Sequence, residues 1–353
     1  DNTTVINDLE ETLLAYQLQN LNFAIPPQDM ENVLLTGIPD AQQPFVDRYR
    51  NMAGGVLTAE RLIKDCTKDY MELHQMYAGF GAGGTKSLQE TQQTEAFLDF
   101  RAKLRLLYDG ITETFHAAVG YPWITYLFYG MTSEQLRSLA AESNRFWLPQ
   151  PFSWETWTSP AARGGHAGAV SVRIRTGLAF PPEMRDLYQT LQANGIAVYV
   201  CSASAQDVVA AALCGEEYGC REEQIYGMRL QKNAQGRIQN TCDAQYPRTE
   251  GKGKVQTIDS FIRERHSGRG PILVAGDSAG DVPMLTAYPD MQLGLLINRV
   301  RSDSLLPLAQ QAVVQTGQPS ARYVLQGRDE NLGKLRKSEK SILLGESQEH
   351  LIR

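Results

Sequence analysis

The sequence predicts an α/β protein built on a doubly wound, Rossmann-like parallel sheet, with a long and mainly helical stretch in its first half. Two observations carry this. Short apolar runs recur in the second half, at Ile196–Cys201, Ile272–Ala275 and Leu293–Ile297. Each is continuous rather than alternating, as a strand buried on both faces requires. Helical patterns separate these runs, and strand–helix alternation specifies a parallel sheet with helices on its faces.

The elements follow in chain order. Asp8-Leu9-Glu10-Glu11 opens an apolar helix through Leu13, Leu14 and Leu18. Asp8 with Glu11 three residues later makes a capping-box-like start. Val46 to Tyr77 carries a second amphipathic pattern, interrupted at Gly54-Gly55, and a glycine-rich loop (Gly79, Gly81, Gly83, Gly84) follows it. Thr94 to Phe115 reads as a further helix, and Thr132 to Gln135 as the capping box of the next. Trp147, Trp154 and Trp157 crowd the region beyond. Pro182 and Gly195 bracket another helix, proline at its start and glycine past its end. A helix begins after Ser204 with Asp207 in its first turn. Met228 to Ile238 suggests a small hairpin turning near Asn233–Gly236, and a helix follows Lys254. The basic run from Arg328 to Lys340 reads as a solvated C-terminal helix or tail.

At 353 residues the chain can bury one large core plus a second domain or insertion. Its 34 Lys and Arg against 40 Asp and Glu give a net charge of −6. That disfavours nucleic acid as partner, because duplex binding rests on neutralising phosphates. No run of about 18 apolar residues spans a bilayer. Cys66, Cys201, Cys214, Cys220 and Cys242 show no zinc spacing. Cys201 lies in an apolar run and reads as core. Cys214 and Cys220 make a short-loop disulfide if the protein is exported, and two free thiols in the cytoplasm. His74, His116 and His166 have no metal-ligand spacing and read as structural.

Four features carry chemistry. Gly276-Asp277-Ser278-Ala279-Gly280-Asp281 directly follows the run ending at Ala275. Two carboxylates there leave the carboxyl end of a parallel strand, where such sheets place their sites. Hard oxygen ligands suit Mg²⁺, which takes one or two carboxylates plus phosphate and water. The bland alternative is that Asp281 caps the next helix. Ser202 ends another strand and leads into a helix, so its hydroxyl and the backbone N–H groups form a phosphate cradle or a plain N-cap. Gly251-Lys252-Gly253-Lys254 precedes a helix, and a lysine near a phosphate neutralises developing charge. Asp1-Asn2-Thr3 stands at the very start, without Met.

In that order these motifs resemble the haloacid dehalogenase superfamily of phosphohydrolases, whose first motif is a strand followed by Asp-x-Asp-x-Thr. Asp1-Asn2-Thr3 matches the last three positions. The resemblance therefore implies a nucleophilic Asp two residues ahead of Asp1, at the end of an upstream apolar strand. It implies an aspartyl-phosphate, with Asp1 as acid and base and as a carbonyl ligand of Mg²⁺. Thr3 would position the loop, and Ser202 and Lys254 would hold the phosphoryl oxygens. Asp277 would ligate Mg²⁺ and Asp281 would orient the metal shell or the lysine. Lys252, which also follows a glycine, is the alternative to Lys254. The implied architecture is a core of residues 1–7 and 168–345, a mainly helical cap inserted after motif one at 8–167, and a tail at 346–353.

The cap is expected to choose the leaving group. Asp8, Glu10 and Glu11 lie a few residues past the catalytic loop. Acids there repel a dianionic ester unless its other end is a cation, though acids in a first helical turn also complement its dipole. Asp-Leu-Glu-Glu-Thr-Leu-Leu after Asp-Asn-Thr is similar to bacterial phosphorylcholine phosphatases, as are Ser202-Ala203-Ser204 and Leu325-Gln326-Gly327-Arg328-Asp329. That similarity implies phosphocholine or phosphoethanolamine as substrate, a contact from Glu11 (with Glu10 beside it), and export. Trp123 and Tyr126 are the aromatic candidates for cation–π contacts. Competing readings are a phosphatase for another amine-bearing ester such as phosphoserine, a receiver-like phosphoacceptor domain, and a catalytically silent ligand-binding protein.

Overall fold

A computed structural model describes residues 1–215 and 218–352. Its helices are α1 Leu9–Asn20, α2 Met30–Leu35, α3 Ala59–Met76, α4 Leu88–Gln92, α5 Glu95–Phe115, α6 Ala117–Thr125, α7 Ser133–Trp147, α8 Pro182–Ala193, α9 Gln206–Leu213, α10 Lys252–Thr257, α11 Val282–Thr286 and α12 Leu306–Val314. Its strands are β1 Trp154–Thr158, β2 Ser171–Arg175, β3 Val200–Ala205, β4 Ile225–Met228, β5 Leu230–Lys232, β6 Ile238–Cys242, β7 Leu273–Gly276, β8 Leu293–Ile297, β9 Tyr323–Gln326, β10 Arg328–Asp329, β11 Lys334–Leu335, β12 Ser341–Ile342 and β13 Glu349–His350.

The first half is the expected helical unit. Thr94 caps α5 by accepting from Phe97 N, and Thr132 with Gln135 forms a complete capping box on α7. Asp8 caps α1 by accepting from Glu10 N and Glu11 N. Glu11 does not close the box, because Arg105 claims it. The cap core gathers Leu13, Leu18, Tyr70, Phe100, Trp123 and Trp157, all essentially inaccessible. Trp147 ties α7 to α1 by donating Nε1–H to Thr12 O at 2.8 Å. At the floor of the cap lies a buried ion cluster, where Lys103 Nζ meets Asp65 and Asp99, each at 2.8 Å.

The antiparallel pair β1–β2 went unforeseen. Trp154-Glu155-Thr156-Trp157-Thr158 alternates as a half-buried strand does, but its tryptophans masked the period.

The second half is the expected parallel α/β core, in two parts. β3 pairs with β4, and β7, β8 and β9 pair in that order, all in parallel register. The hairpin β5–β6 turns at Asn233–Gly236 as its sequence predicts. β3 and β7 are not paired with each other. The run Ile196–Cys201 is consequently half-buried rather than enclosed. Only its last two residues are strand, because its open side borders a cavity also lined by Leu273, Val274 and Ala275.

The C-terminal segment corrects an expectation. Residues 328–350 are neither helix nor tail but four short strands in the order β11-β10-β12-β13. Arg328 and Ser341 inside it are fully buried, and Ile352 packs against the core. A basic composition suggested a solvated face, whereas the arginines here are paired with Glu330 and Glu349.

All five cysteines are free thiols. Cys214 and Cys220 are neighbours across an isolated parallel bridge. Burial pushes the Cys201 thiol up to about 11.

Candidate active site

A cavity of about 490 Å³ runs between β3 and β7, from Ile196 and Ile272 to their carboxyl ends, where residues of the helical unit also line it. Asp1, Thr3, Ser202, Lys254, Asp277 and Asp281 all line it, so residues up to 280 positions apart in sequence converge as expected.

Asp1 is held by the core and by the cap. Its Oδ1 accepts from Leu9 N at 2.8 Å, at the first turn of α1. Its Oδ2 accepts from Ser202 Oγ at 3.3 Å and from Ser204 Oγ. The register of β3 against β4 shifts between Cys201 and Ala205. That irregularity lifts Ser202 and Ser204 out of the ladder toward the cavity, as bulges near sites do. Asn2 follows in a left-handed conformation at φ 55°. Arg328 stabilises that turn by donating to its carbonyl and to its side-chain oxygen.

Asp277 leaves the end of β7. Its Oδ1 accepts from Thr3 Oγ1 at 2.6 Å, and its Oδ2 from Arg299 Nη1 at 2.7 Å. Burial pulls its pKa upward, but Arg299 and Thr3 outweigh burial and hold the carboxyl below its usual range. It is an anion at neutral pH.

Lys254 reaches the cavity from α10. A side chain at Gly253 would collide with Arg248 O at 1.6 Å, so glycine is required for α10 to start where it does. Lys254 Nζ donates to Asp281 Oδ1 at 2.7 Å in a buried pair. Burial alone would depress its pKa, but Asp281 outweighs this and raises it. Lys252, at the first turn of the same helix, is exposed and outside the cavity. Lys254 is therefore the lysine of the pair that faces the cavity.

Asp281, expected to orient the metal shell or the lysine, holds the lysine. Its Oδ2 accepts from Asp277 N at 2.9 Å, from Ser278 N and from Ser278 Oγ, while its Oδ1 holds Lys254. Both oxygens fasten neighbours, so Asp281 orients Lys254 and the 277–281 turn. Gly276 lets this turn fold back, since a Cβ there would lie 2.5 Å from Asp281 Cβ.

Asp1 and Asp277 are hard-oxygen donors on the cavity wall. They fit a Mg²⁺-type cation, which takes one or two carboxylates and completes its shell with water and phosphate oxygens. Among the described residues no three or more His, Cys, Asp or Glu side chains are gathered around one point in the way a dedicated metal cage requires.

The leaving-group end differs from expectation. Glu11 is paired with Arg105 at 2.8 Å and does not line the cavity. Glu10 lines it but is buried, and its Oε1 accepts from Ala205 N at 2.9 Å, locking α1 onto the start of α9. Burial, with Asp8 and Glu11 adding and the Ala205 and Ser204 hydrogen bonds opposing, pushes the Glu10 carboxyl up to about 8. Trp123 is core, its Nε1–H donating to Leu34 O at 2.8 Å. Tyr126 is buried with its hydroxyl 3.6 Å from Cys242 Sγ. Neither lines the cavity. Tyr108 and Tyr121 do, together with Asp8, Arg299 and Arg301. Tyr121 and Trp123 are two apart on α6, so one faces out of the core when the other faces in.

A model of the haloacid dehalogenase-like hydrolase family matches residues 99–286, a span that includes Ser202, Lys254, Asp277 and Asp281. Among solved structures, a conserved functionally unknown protein from Anaerococcus prevotii DSM 20548 is 30% identical, with a TM-score of 0.90 over 98% of this chain and 88% of that one. No curated protein matches the chain.

Proposed function

The chain belongs to the haloacid dehalogenase-like hydrolases, and from that premise we propose that it is a Mg²⁺-dependent phosphomonoesterase for a small amine-bearing ester, phosphocholine or phosphoethanolamine. The observation that carries this reading is the shared wall of one cavity. Asp1, Ser202, Lys254 and Asp277 of the core line it together with Asp8, Tyr108 and Tyr121 of the helical unit.

Ser202 and Lys254 hold the phosphoryl oxygens, the lysine fixed in place by Asp281. Asp1 has its carboxylate aimed by Leu9 N and the two serines. It protonates the leaving alcohol and then takes a proton from water. Asp277 and Asp1 are the residues that would hold Mg²⁺, which would supply charge neutralisation at the phosphoryl group.

The nucleophile is an Asp two residues ahead of Asp1, at the end of a strand lying between β3 and β7. Two features support this. Asp1 is fastened in the site by Leu9 N, Ser202 and Ser204, so the main chain enters the site there. The facing edges of β3 and β7 are unpaired and border the same apolar cavity, with Val198, Val200, Leu273 and Val274 along it. An Asp in that place forms the aspartyl-phosphate.

At the leaving-group side, Asp8 accepts from Glu10 N and Glu11 N through Oδ1. It and Tyr121 suit a cationic amine, while Tyr108 packs against Arg105 and Trp123. Arg299 and Arg301 on the same wall support a second reading, an ester whose leaving group carries both an amine and a carboxylate, such as phosphoserine. Initial rates with Mg²⁺ on phosphocholine, phosphoethanolamine, phosphoserine and p-nitrophenyl phosphate decide. A roughly tenfold preference in kcat/KM for phosphoserine replaces the first reading by the second. Binding of phosphocholine without turnover of any ester overturns the enzymatic reading, as does a residue other than Asp two positions ahead of Asp1.

A further inference from the structure

Arg299 occupies one oxygen of the carboxylate assigned to the metal. Its Nη1 donates to Asp277 Oδ2 at 2.7 Å, while Thr3 takes Oδ1. Arg299 and Asp277 line the same cavity. A guanidinium keeps its charge at all working pH values. A divalent cation and a guanidinium drawn to one buried carboxylate repel each other, because little solvent lies between them.

The backbone around Arg299 is held under strain. Val300 has φ 55°, a left-handed conformation that a β-branched residue disfavours. Asn298 enforces it, accepting from Val300 N at 2.9 Å through Oδ1 while its Nδ2 donates to the carbonyls of Glu339 and His350. Ser341 Oγ in turn donates to Asn298 O at 2.6 Å. Strain maintained by surrounding hydrogen bonds is a property of clamps and switch segments.

We propose that Arg299 is the resident counter-ion of Asp277 in the metal-free protein, that it leaves Oδ2 when a divalent cation binds, and that it thereby sets the metal affinity. This rests on the reading of Asp277 as metal ligand. The displaced guanidinium has three acidic neighbours, Asp8, Glu11 and Glu330. Glu330 already receives Arg328 and Arg175, and Glu11 receives Arg105, so the open direction is toward Asp8. Metal occupancy then moves a positive charge into the leaving-group end of the cavity, where it can meet an anionic group of the substrate. Arg299 is in this sense a positioning residue.

The test uses Mn²⁺ and Mg²⁺ as probes. Mn²⁺ affinity is measured by electron paramagnetic resonance for the wild type, Arg299→Gln and Arg299→Lys. Arg299→Gln is expected to bind roughly tenfold more tightly, and Arg299→Lys, which keeps a charge, close to wild type. In wild-type protein labelled with ¹⁵N-arginine, the Arg299 side-chain signal, assigned by its absence from Arg299→Lys, is expected to shift at saturating Mg²⁺. This second arm decides the matter if Arg299→Gln does not fold. Equal or weaker Mn²⁺ binding by a folded Arg299→Gln, or an unmoved Arg299 signal at saturation, overturns the proposal and leaves Asp277 as a ligand. If the wild type binds neither ion, the metal reading fails together with it.

Discussion

Arg328, with no accessible surface, donates through Nη1 to both the main-chain carbonyl and the side-chain Oδ1 of Asn2, at 3.2 and 3.1 Å, from 326 positions further along the chain. The pairing fixes the residue between Asp1 and Thr3. Burial and the nearby charge of Arg299 bring the guanidinium pKa down to about 10, with Glu330 opposing. Arg328→Met removes the fork and strands Glu330 with Arg175 alone. We expect a stability loss of about 3–5 kcal/mol in urea unfolding. Arg328→Lys keeps a charge but not the fork, and should lose up to about 100-fold in turnover through misplacement of Asp1.

Glu10 makes stability depend on pH. Its carboxyl titrates at about 8 when folded, against 4.5 for the ordinary group. Its protonation therefore favours the folded state fully below pH 4.5, and that contribution is lost as pH rises toward 8. The wild type should lose about 1.4 kcal/mol per pH unit from this group across the window. Glu10→Gln should abolish that part of the slope and be the more stable protein at pH 9. Parallel slopes for the two proteins in thermal or urea unfolding would refute the assignment.

Lys254 and Asp281 act as a unit. Removing either partner leaves a buried charge, so Lys254→Met and Asp281→Asn should each destabilise by about 3–5 kcal/mol. The double variant should be far less destabilised than the sum. Additive losses in a double-mutant cycle would mean that the ion pair carries no coupling.

Asp277→Asn should leave the fold intact, since Asn still accepts from Thr3 or Arg299. Hydrolysis of p-nitrophenyl phosphate should fall by about 100-fold or more. Retention of Mg²⁺-dependent rate by this variant would remove Asp277 from the metal site.

Tyr121 and Trp123 separate recognition from packing. Trp123→Ala should cost about 3–5 kcal/mol with KM little changed in the folded fraction. Tyr121→Ala should raise KM for phosphocholine by roughly 2- to 30-fold, the range of a cation–π contact, and leave p-nitrophenyl phosphate unaffected.

The meeting of Ser202, Lys254 and Asp277 on one cavity was legible in the sequence because their placement is tied to local grammar. Ser202, Lys254 and Asp277 each sit where a strand or glycine turn runs into a helix, and that grammar fixes direction as well as place. The ligand end was not legible. Glu10 and Glu11 looked like a free acidic cluster, yet one caps α9 through Ala205 N and the other pairs with Arg105, 94 positions away. Trp123 and Tyr126 were chosen for their chemistry, whereas helix phase decided that Tyr108 and Tyr121 face the cavity. Arg299 lay outside any motif, and only its contact with Asp277 reveals it. A glance at the strain-prone Asn298-Arg299-Val300 turn offers no period or spacing to read. The C-terminal strands were missed because two-residue strands carry no pattern above that of loops.

The four short strands at 328–350 have a bearing on synthesis. Asp1–Thr3 leave the ribosome 325 positions ahead of Arg328. At about 5–20 residues per second, the catalytic loop waits on the order of 20–60 s for the side chain that fixes its turn. The helical cap has time to collapse during that interval. Nascent chains stalled before residue 328 should therefore hold a compacted cap and no organised active centre.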